Sequence, residues 1–135
     1  MTTAIEESLR LAPPILFLAR GCTRDTEIGG CPVQSGERVV IGSASANRDE
    51  RAFPDPYRFD VTRTHNEHVG FGAGGPHFCL GANLARREMQ VMFEELFRRV
   101  PATEASGEPD MRPPALLHGP HTLPCRITPR RGCRA

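Results

Sequence analysis

The sequence has no tryptophan, one tyrosine and seven phenylalanines among its 135 residues. Against that it carries thirteen glycines and thirteen prolines. Apolar side chains are therefore spread along extended segments, which suits a loop-rich chain better than an autonomous single-core domain, although the length is that of one domain. No window approaches the ~18 apolar residues of a membrane span. The opening MTTAIEESLRL places acids where a secretory signal needs basic residues, with no apolar stretch behind them. A cytoplasmic chain with no membrane span is expected. An excess of one charge is also missing, with 17 Lys plus Arg against 16 Asp plus Glu, so nucleic acid is not an expected partner. The cysteines Cys22, Cys31, Cys79, Cys125 and Cys133 are odd in number and never form C-x-x-C. That excludes a zinc-like pattern and a full disulfide framework, leaving reduced thiols.

What is present reads as two helices among short strands. Thr3 to Ala12 can be helical until Pro13-Pro14, because proline disfavours α geometry in the residue before it. Ile15 to Ala19 reads as a strand, and TEIGGCPV and ERVVIG as two more, with Gly-Gly and Ser-Gly turns. Residues 47–70, with Pro54 and Pro56, form an irregular meander. From Ala82 to Val100 the apolar positions Leu84, Ala85, Met89, Met92, Phe93, Leu96 and Val100 repeat at helical spacing, with Arg86, Arg87, Gln90, Glu94 and Arg98 opposite. Ala115 to Leu117 and Leu123 to Ile127 read as a terminal hairpin around HGPH. The tail 128–135 is expected to fray.

The chemistry concentrates in FGAGGPHFCLG, directly ahead of the second helix. Gly70, Gly72 and Gly75 satisfy G-x-G-x-x-G, but a dinucleotide loop needs a strand leading into it and a helix opening on the phosphate. Here the polar RTHNEH precedes, Pro76 interrupts, and the acids about 20 residues on, Glu94 and Glu95, lie inside a helix. Dinucleotide binding is set aside. Glycines that let backbone approach a large planar ligand, Phe71 to shield a sulfur, and one cysteine at the mouth of a helix point instead to a single soft anionic metal ligand. One protein thiolate suits haem.

Phe71 to Gly81 resembles the haem-binding loop of the cytochrome P450 family, with Cys79 in the place of the axial ligand. EESLRLAPP resembles the family's E-x-x-R helix, with Glu7 and Arg10 as its pair, and ANRDERAFPDPYRFDVTR resembles its meander, ending on Arg63. The spacing from Phe71 to Cys79 is one residue longer than the commonest, as in some bacterial members. The resemblance implies an α+β fragment: the C-terminal portion of the mostly α P450 fold, truncated, with two main helices, short β hairpins and long irregular loops over residues 1–135.

Several roles follow from that resemblance. Cys79 would bind the iron of haem b (iron protoporphyrin IX), within a cofactor site that includes Phe71, Gly72 and Gly81. Arg20 and His77, with His68 as a weaker candidate, would face the haem propionates. Glu7 and Arg10, which read alone could be an exposed i,i+3 pair, would form a buried network with Arg63. Ile15, Phe17, Leu116 and Leu117 match substrate-facing segments and equally suit strand core. Arg86 and Arg87 would lie on the surface that meets a ferredoxin or flavoprotein donor, or be a solvated face.

No A/G-G-x-D/E-T run of the family's distal helix occurs; Asp25-Thr26 has no glycine pair before it. Two readings therefore stand. The chain is a fragment of a haem-thiolate monooxygenase acting on a small organic substrate, inactive in isolation, or it is a non-catalytic degenerate remnant with weak or no haem binding.

Overall fold

The computed structural model describes residues 1–100, 102–111 and 117–128. Helix α1 (Thr2–Leu11) forms where Ile5 and Leu9, one turn apart, are both buried. Its last turn closes with the Ala12 N–H donating to the Ser8 carbonyl at 2.9 Å, and the two prolines then end it. Beyond them β1 (Phe17–Gly21) begins two residues later than the apolar run from Ile15 suggests. It pairs antiparallel with β4 (Arg38–Gly42), Phe17 opposite Gly42 and Gly21 opposite Arg38.

Between those strands β2 (Thr26–Ile28) and β3 (Cys31–Val33) make their own hairpin. TEIGGCPV is thus two strands rather than one. Gly29 and Gly30 both have positive φ, 58° and 82°, which a two-residue turn matched to strand twist requires. A single helical turn, α2 (Ser43–Ala46), leads into an irregular meander that is followed by the glycine loop and α3 (Ala82–Arg99).

The terminal hairpin expected from HGPH does not form as a local pair. β8 (Cys125–Thr128) pairs with β5 (Ala102–Ala105), while β7 (Pro120–Thr122) pairs with β6 (Asp110–Met111). Ala115 and Leu116 lie outside the described residues, as does the tail from Pro129; Thr128 itself ends β8.

The centre of the structure is as polar as it is apolar. Ile5, Leu9, Phe53 and Ala82 are buried together with Glu7, Arg10, Ser43 and Asn47. Arg10 uses all five of its N–H donors. Nε and Nη2 grip the Glu7 carboxylate at 2.8 Å each, Nη1 reaches the carbonyls of Asn47 (2.8 Å) and Pro56 (2.7 Å), and Nη2 also reaches that of Arg58 (3.1 Å). The Phe53 ring lies under the guanidinium at 5.2 Å. Glu7 accepts in addition from the Asp60 N–H (2.9 Å) and the Asn66 amide (3.0 Å), and Arg63 Nε stands 3.3 Å away.

Asn47 completes the arrangement. Its amide donates to the Arg10 carbonyl at 3.1 Å, and its Oδ1 accepts the Val69 N–H at 2.8 Å. The last turn of α1, the end of α2 and the end of the meander leading into the glycine loop are joined at this one side chain. By contrast α3 buries little: Leu84 is 63% exposed, Met92 55% and Phe97 55%. Its apolar stripe has the helical period that the sequence shows, but none of its positions is buried: Leu84, Met92 and Leu96 are exposed and Ala85, Met89, Phe93 and Val100 half-buried. Local pairs, Glu95 with Arg98 and Arg99 and the stacked rings of Phe93 and Phe97, support it instead.

Two outcomes follow from the buried pair. Arg10→Ala leaves the Glu7 carboxylate without its main partner and is expected to cost about 3–5 kcal/mol in urea unfolding; Arg10→Lys recovers little, since an ammonium cannot replace five donors in a fork. Burial pushes the Glu7 carboxyl up, but Arg10, the Asp60 N–H and Arg63 outweigh it and hold the group at about 2 against an ordinary 4.5. A depressed carboxyl binds fewer protons folded than unfolded, so its stabilisation is complete above the ordinary value and is lost as pH falls from there toward 2. The unfolding midpoint should drop over that window, and Glu7→Gln should flatten the slope.

Candidate functional site

The glycine loop takes its shape from backbone hydrogen bonds. The Gly72 N–H donates to the Val69 carbonyl at 2.9 Å, and the Cys79 N–H returns across the loop to the Phe71 carbonyl at 3.0 Å. Gly72, Gly74 and Gly75 all have positive φ, 88°, 37° and 83°, conformations that side chains resist. The sequence can therefore fold back on itself in nine residues and present Cys79 just ahead of α3. The Cys79 carbonyl accepts the Ala82 N–H at 3.2 Å, while its thiol is free and exposed. A Cβ on Gly81 would lie 4.0 Å from the sulfur. The first turn of α3 contains no acid and its N-cap makes no side-chain hydrogen bond, so no carboxylate competes with the thiol there.

Beside this loop is a groove of about 360 Å³. One wall is the β1–β4 sheet with Leu18, Arg20 and Ile41; the other is Val69, Gly72 to Gly74, Pro76 and His77, and Ser43 and Ala46 close one end. Strand parity explains the sheet's contribution: Leu18 and Arg20 point one way and Phe17 and Ala19 the other. The groove is mainly apolar and has a cation and an imidazole on its walls. Arg20 makes one hydrogen bond among the described residues, to its neighbour's carbonyl at Ala19 (2.9 Å), so most of its donors remain for a ligand. Side-chain-free glycines, apolar walls and two nitrogen donors suit a flat ligand with an apolar body and carboxylates. No group of three or more His, Cys, Asp or Glu that could hold a bare metal ion occurs among the described residues. The donor set fits haem held by one sulfur.

A second cluster braces the loop from the side of α1. Arg86 on α3 reaches Glu6 through Nε (2.7 Å) and Nη2 (3.0 Å), and its guanidinium stacks 4.7 Å above the Phe71 ring. His68 Nε2 lies 2.9 Å from Glu6 Oε2, and its Nδ1 accepts the Gly70 N–H at 3.0 Å. Arg86 holds the Glu6 carboxyl below its usual range, against the opposing effect of partial burial, and His68 adds to this.

The residues singled out in the sequence are distributed as follows. Arg20, Gly72 and His77 meet at the groove, and Cys79 follows two residues beyond. Phe71 is half-buried beneath Arg86 rather than open to the groove. His68 does not line the groove, because both its ring nitrogens are engaged by Glu6 and Gly70. Glu7, Arg10 and Arg63 converge in the buried network. Ile15 is half-buried and Phe17 and Leu117 are exposed; the His118 N–H donates to the Pro14 carbonyl at 2.8 Å and so brings the Leu117 segment beside that of Ile15. Leu116 is outside the described residues. Arg87 is exposed whereas Arg86 is turned inward. Asn47 and Glu6 went unmarked in the sequence; only the Glu6-Glu7 doublet hinted at a second acid with its own partner.

Residues 1–122 match the cytochrome P450 family model. Over 122 residues the chain is 48% identical to the methyl-branched lipid omega-hydroxylase of Mycobacterium tuberculosis, covering 90% of this chain and 28% of that protein. The Mycobacterium marinum cytochrome P450 CYP268A2, solved with pseudoionone, superposes with a TM-score of 0.86 at 45% identity, covering 91% of this chain and 30% of that one. P450BioI, solved in complex with an acyl carrier protein ligated to hexadec-9Z-enoic acid, gives a TM-score of 0.89 at 37% identity, covering 94% and 33%. The chain thus spans about a third or less of the length of these relatives.

The loop's tolerance is tested at Gly70. A Cβ there would stand 3.0 Å from the Leu9 carbonyl oxygen and 3.1 Å from His68 Nδ1, so Gly70→Ala should cost about 1–3 kcal/mol in chemical denaturation. Gly81→Ala meets nothing nearer than the Cys79 sulfur and should cost clearly less.

Proposed function

The chain belongs to the cytochrome P450 family, and we propose that it is the C-terminal part of a longer haem-thiolate monooxygenase, supplying the axial sulfur and one face of a haem b site. The observation that carries this reading is the free, exposed thiol of Cys79, presented by a glycine-shaped loop beside a groove that holds Arg20 and His77.

Each side chain then has a defined task. Cys79 binds as the thiolate, and the Phe71 carbonyl bonded to its N–H fixes the backbone from which the sulfur projects. Arg20 and His77, which line the groove, would hold the two carboxylates of the cofactor by charge-assisted hydrogen bonds. Leu18, Ile41 and Val69 exclude water from its edge. Haem held by the Cys79 sulfur would supply the electron-transfer and dioxygen chemistry. Glu7, Arg10 and Arg63 support the loop from behind without touching the cofactor.

The exposed apolar side chains of α3 support a longer protein, since such a stripe is ordinarily covered. The proton-delivery groups and most of the substrate cavity would come from the remainder. A small organic, largely apolar substrate fits the names of the relatives, which concern a methyl-branched lipid, pseudoionone and a fatty acyl chain. Electrons would come from a ferredoxin or flavoprotein, with Arg87 as the exposed cation beside the thiolate loop. The small described core favours one other reading, a non-catalytic remnant that binds haem weakly or not at all.

The carbonyl complex of the reduced, haem-loaded protein separates the two. It should show the strongly red-shifted Soret band of thiolate ligation, and Cys79→Ala should abolish it. A band that survives the substitution overturns the assignment of Cys79, and a protein that takes up no haem supports the remnant.

A further inference from the structure

We propose that Arg86, gripped by Glu6, is a positioning residue for the sulfur ligand rather than part of a docking surface. This rests on the haem-thiolate reading above. The Arg86 side chain is only 33% exposed and that of Glu6 22%. Its guanidinium does two things at once: the edge makes two hydrogen bonds to Glu6, and the face covers the Phe71 ring at 4.7 Å. That geometry needs a planar, forked cation.

Phe71 is the residue whose carbonyl accepts the Cys79 N–H. Its ring and its carbonyl share one Cα, so a ring pinned by Arg86 restrains the carbonyl on which the cysteine backbone hangs. The bracing then closes on itself. Glu6 meets His68 Nε2, His68 Nδ1 accepts the Gly70 N–H, and Gly70 is the neighbour of Phe71 in the chain. The circuit Gly70, His68, Glu6, Arg86, Phe71 begins and ends on adjacent residues of the loop and passes through both α1 and α3. Because the Gly70 N–H occupies Nδ1, the imidazole proton sits on Nε2 and is donated to Glu6, which fixes the carboxylate for Arg86. A closed circuit of hydrogen bonds and one cation–π contact resists loop movement more than its separate contacts would.

Arg87, next in sequence, differs in each respect. It is exposed and has no hydrogen bond or ion pair among the described residues. The charge of Arg86 is matched by Glu6 and faces the protein, so only Arg87 of the two arginines is presented outward.

The test is the lifetime of the thiolate-type carbonyl band and the iron midpoint potential in the haem-loaded protein. Arg86→Met keeps the stem and removes the fork and charge; it should shorten the band's lifetime about tenfold, the lower end usual for groups that orient a metal ligand, and shift the potential. Glu6→Gln should act in the same direction. Adding Arg86→Met to Glu6→Gln should change little further, as for two members of one unit. Glu95→Gln, which alters an exposed pair on the same helix, should leave both readouts at the parent value. If Arg86→Met yields too little holoprotein, Arg86→Lys carries the comparison, since it keeps the charge but not the planar fork. Unchanged lifetime and potential in the Arg86 variant, or fully additive losses in the double variant, overturn the proposal. A parent protein that never shows the thiolate band fails the underlying reading, and the positioning role with it.

Discussion

A buried arginine that finds acceptors on three separate stretches of chain is the constraint on which the rest of this structure depends. Arg10 and Glu7 are both fully buried, and taking two charges out of water is costly unless every donor and lone pair is met. Here the acceptors are the carbonyls of Asn47, Pro56 and Arg58 and the Glu7 carboxylate. A meander with almost no regular structure would otherwise leave those carbonyls unmatched. The pair therefore takes the place of a sheet or helix in organising that region. Its fold is specified by what a guanidinium can reach.

The same helix transmits this order to the sulfur loop along two routes. On one side Asn47 takes the Arg10 carbonyl and passes to the Val69 N–H, at the entrance to the loop. On the other, Glu6 bonds Arg86 and His68, which bear on Phe71 and Gly70. Consecutive residues on a helix project about 100° apart. Glu7 therefore faces the meander while Glu6 faces α3, and two adjacent acids serve two different neighbours. The thiol is exposed, but the backbone carrying it is held from two directions.

How much of this was legible in the sequence depended on how local each signal was. The cysteine loop and the E-x-x-R helix are short motifs whose residues stand together in the chain, so both could be read. The period of α3 gave its span to within one residue, yet period shows only which side chains share a face. It cannot say whether anything covers them. The terminal strands were mispaired because HGPH is a strong local turn signal, whereas their real partners, ATEA and DM, have almost no apolar pattern and lie some way upstream. Asn47, Glu6 and the inward turn of Arg86 were illegible for a related reason. Polar side chains like these acquire their role from partners tens of residues away, and no periodicity marks them.

The sequence contains no lysine: all seventeen of its cationic side chains are arginine. Guanidinium groups keep their proton throughout the range in which proteins function. The positive member of each arginine pair, in the hub at Arg10 and in the clamp at Arg86 alike, is thus a constant, and only the acid opposite can change state. These bridges can be opened by acid and not by mild base, which gives the framework behind Cys79 a one-sided response to pH.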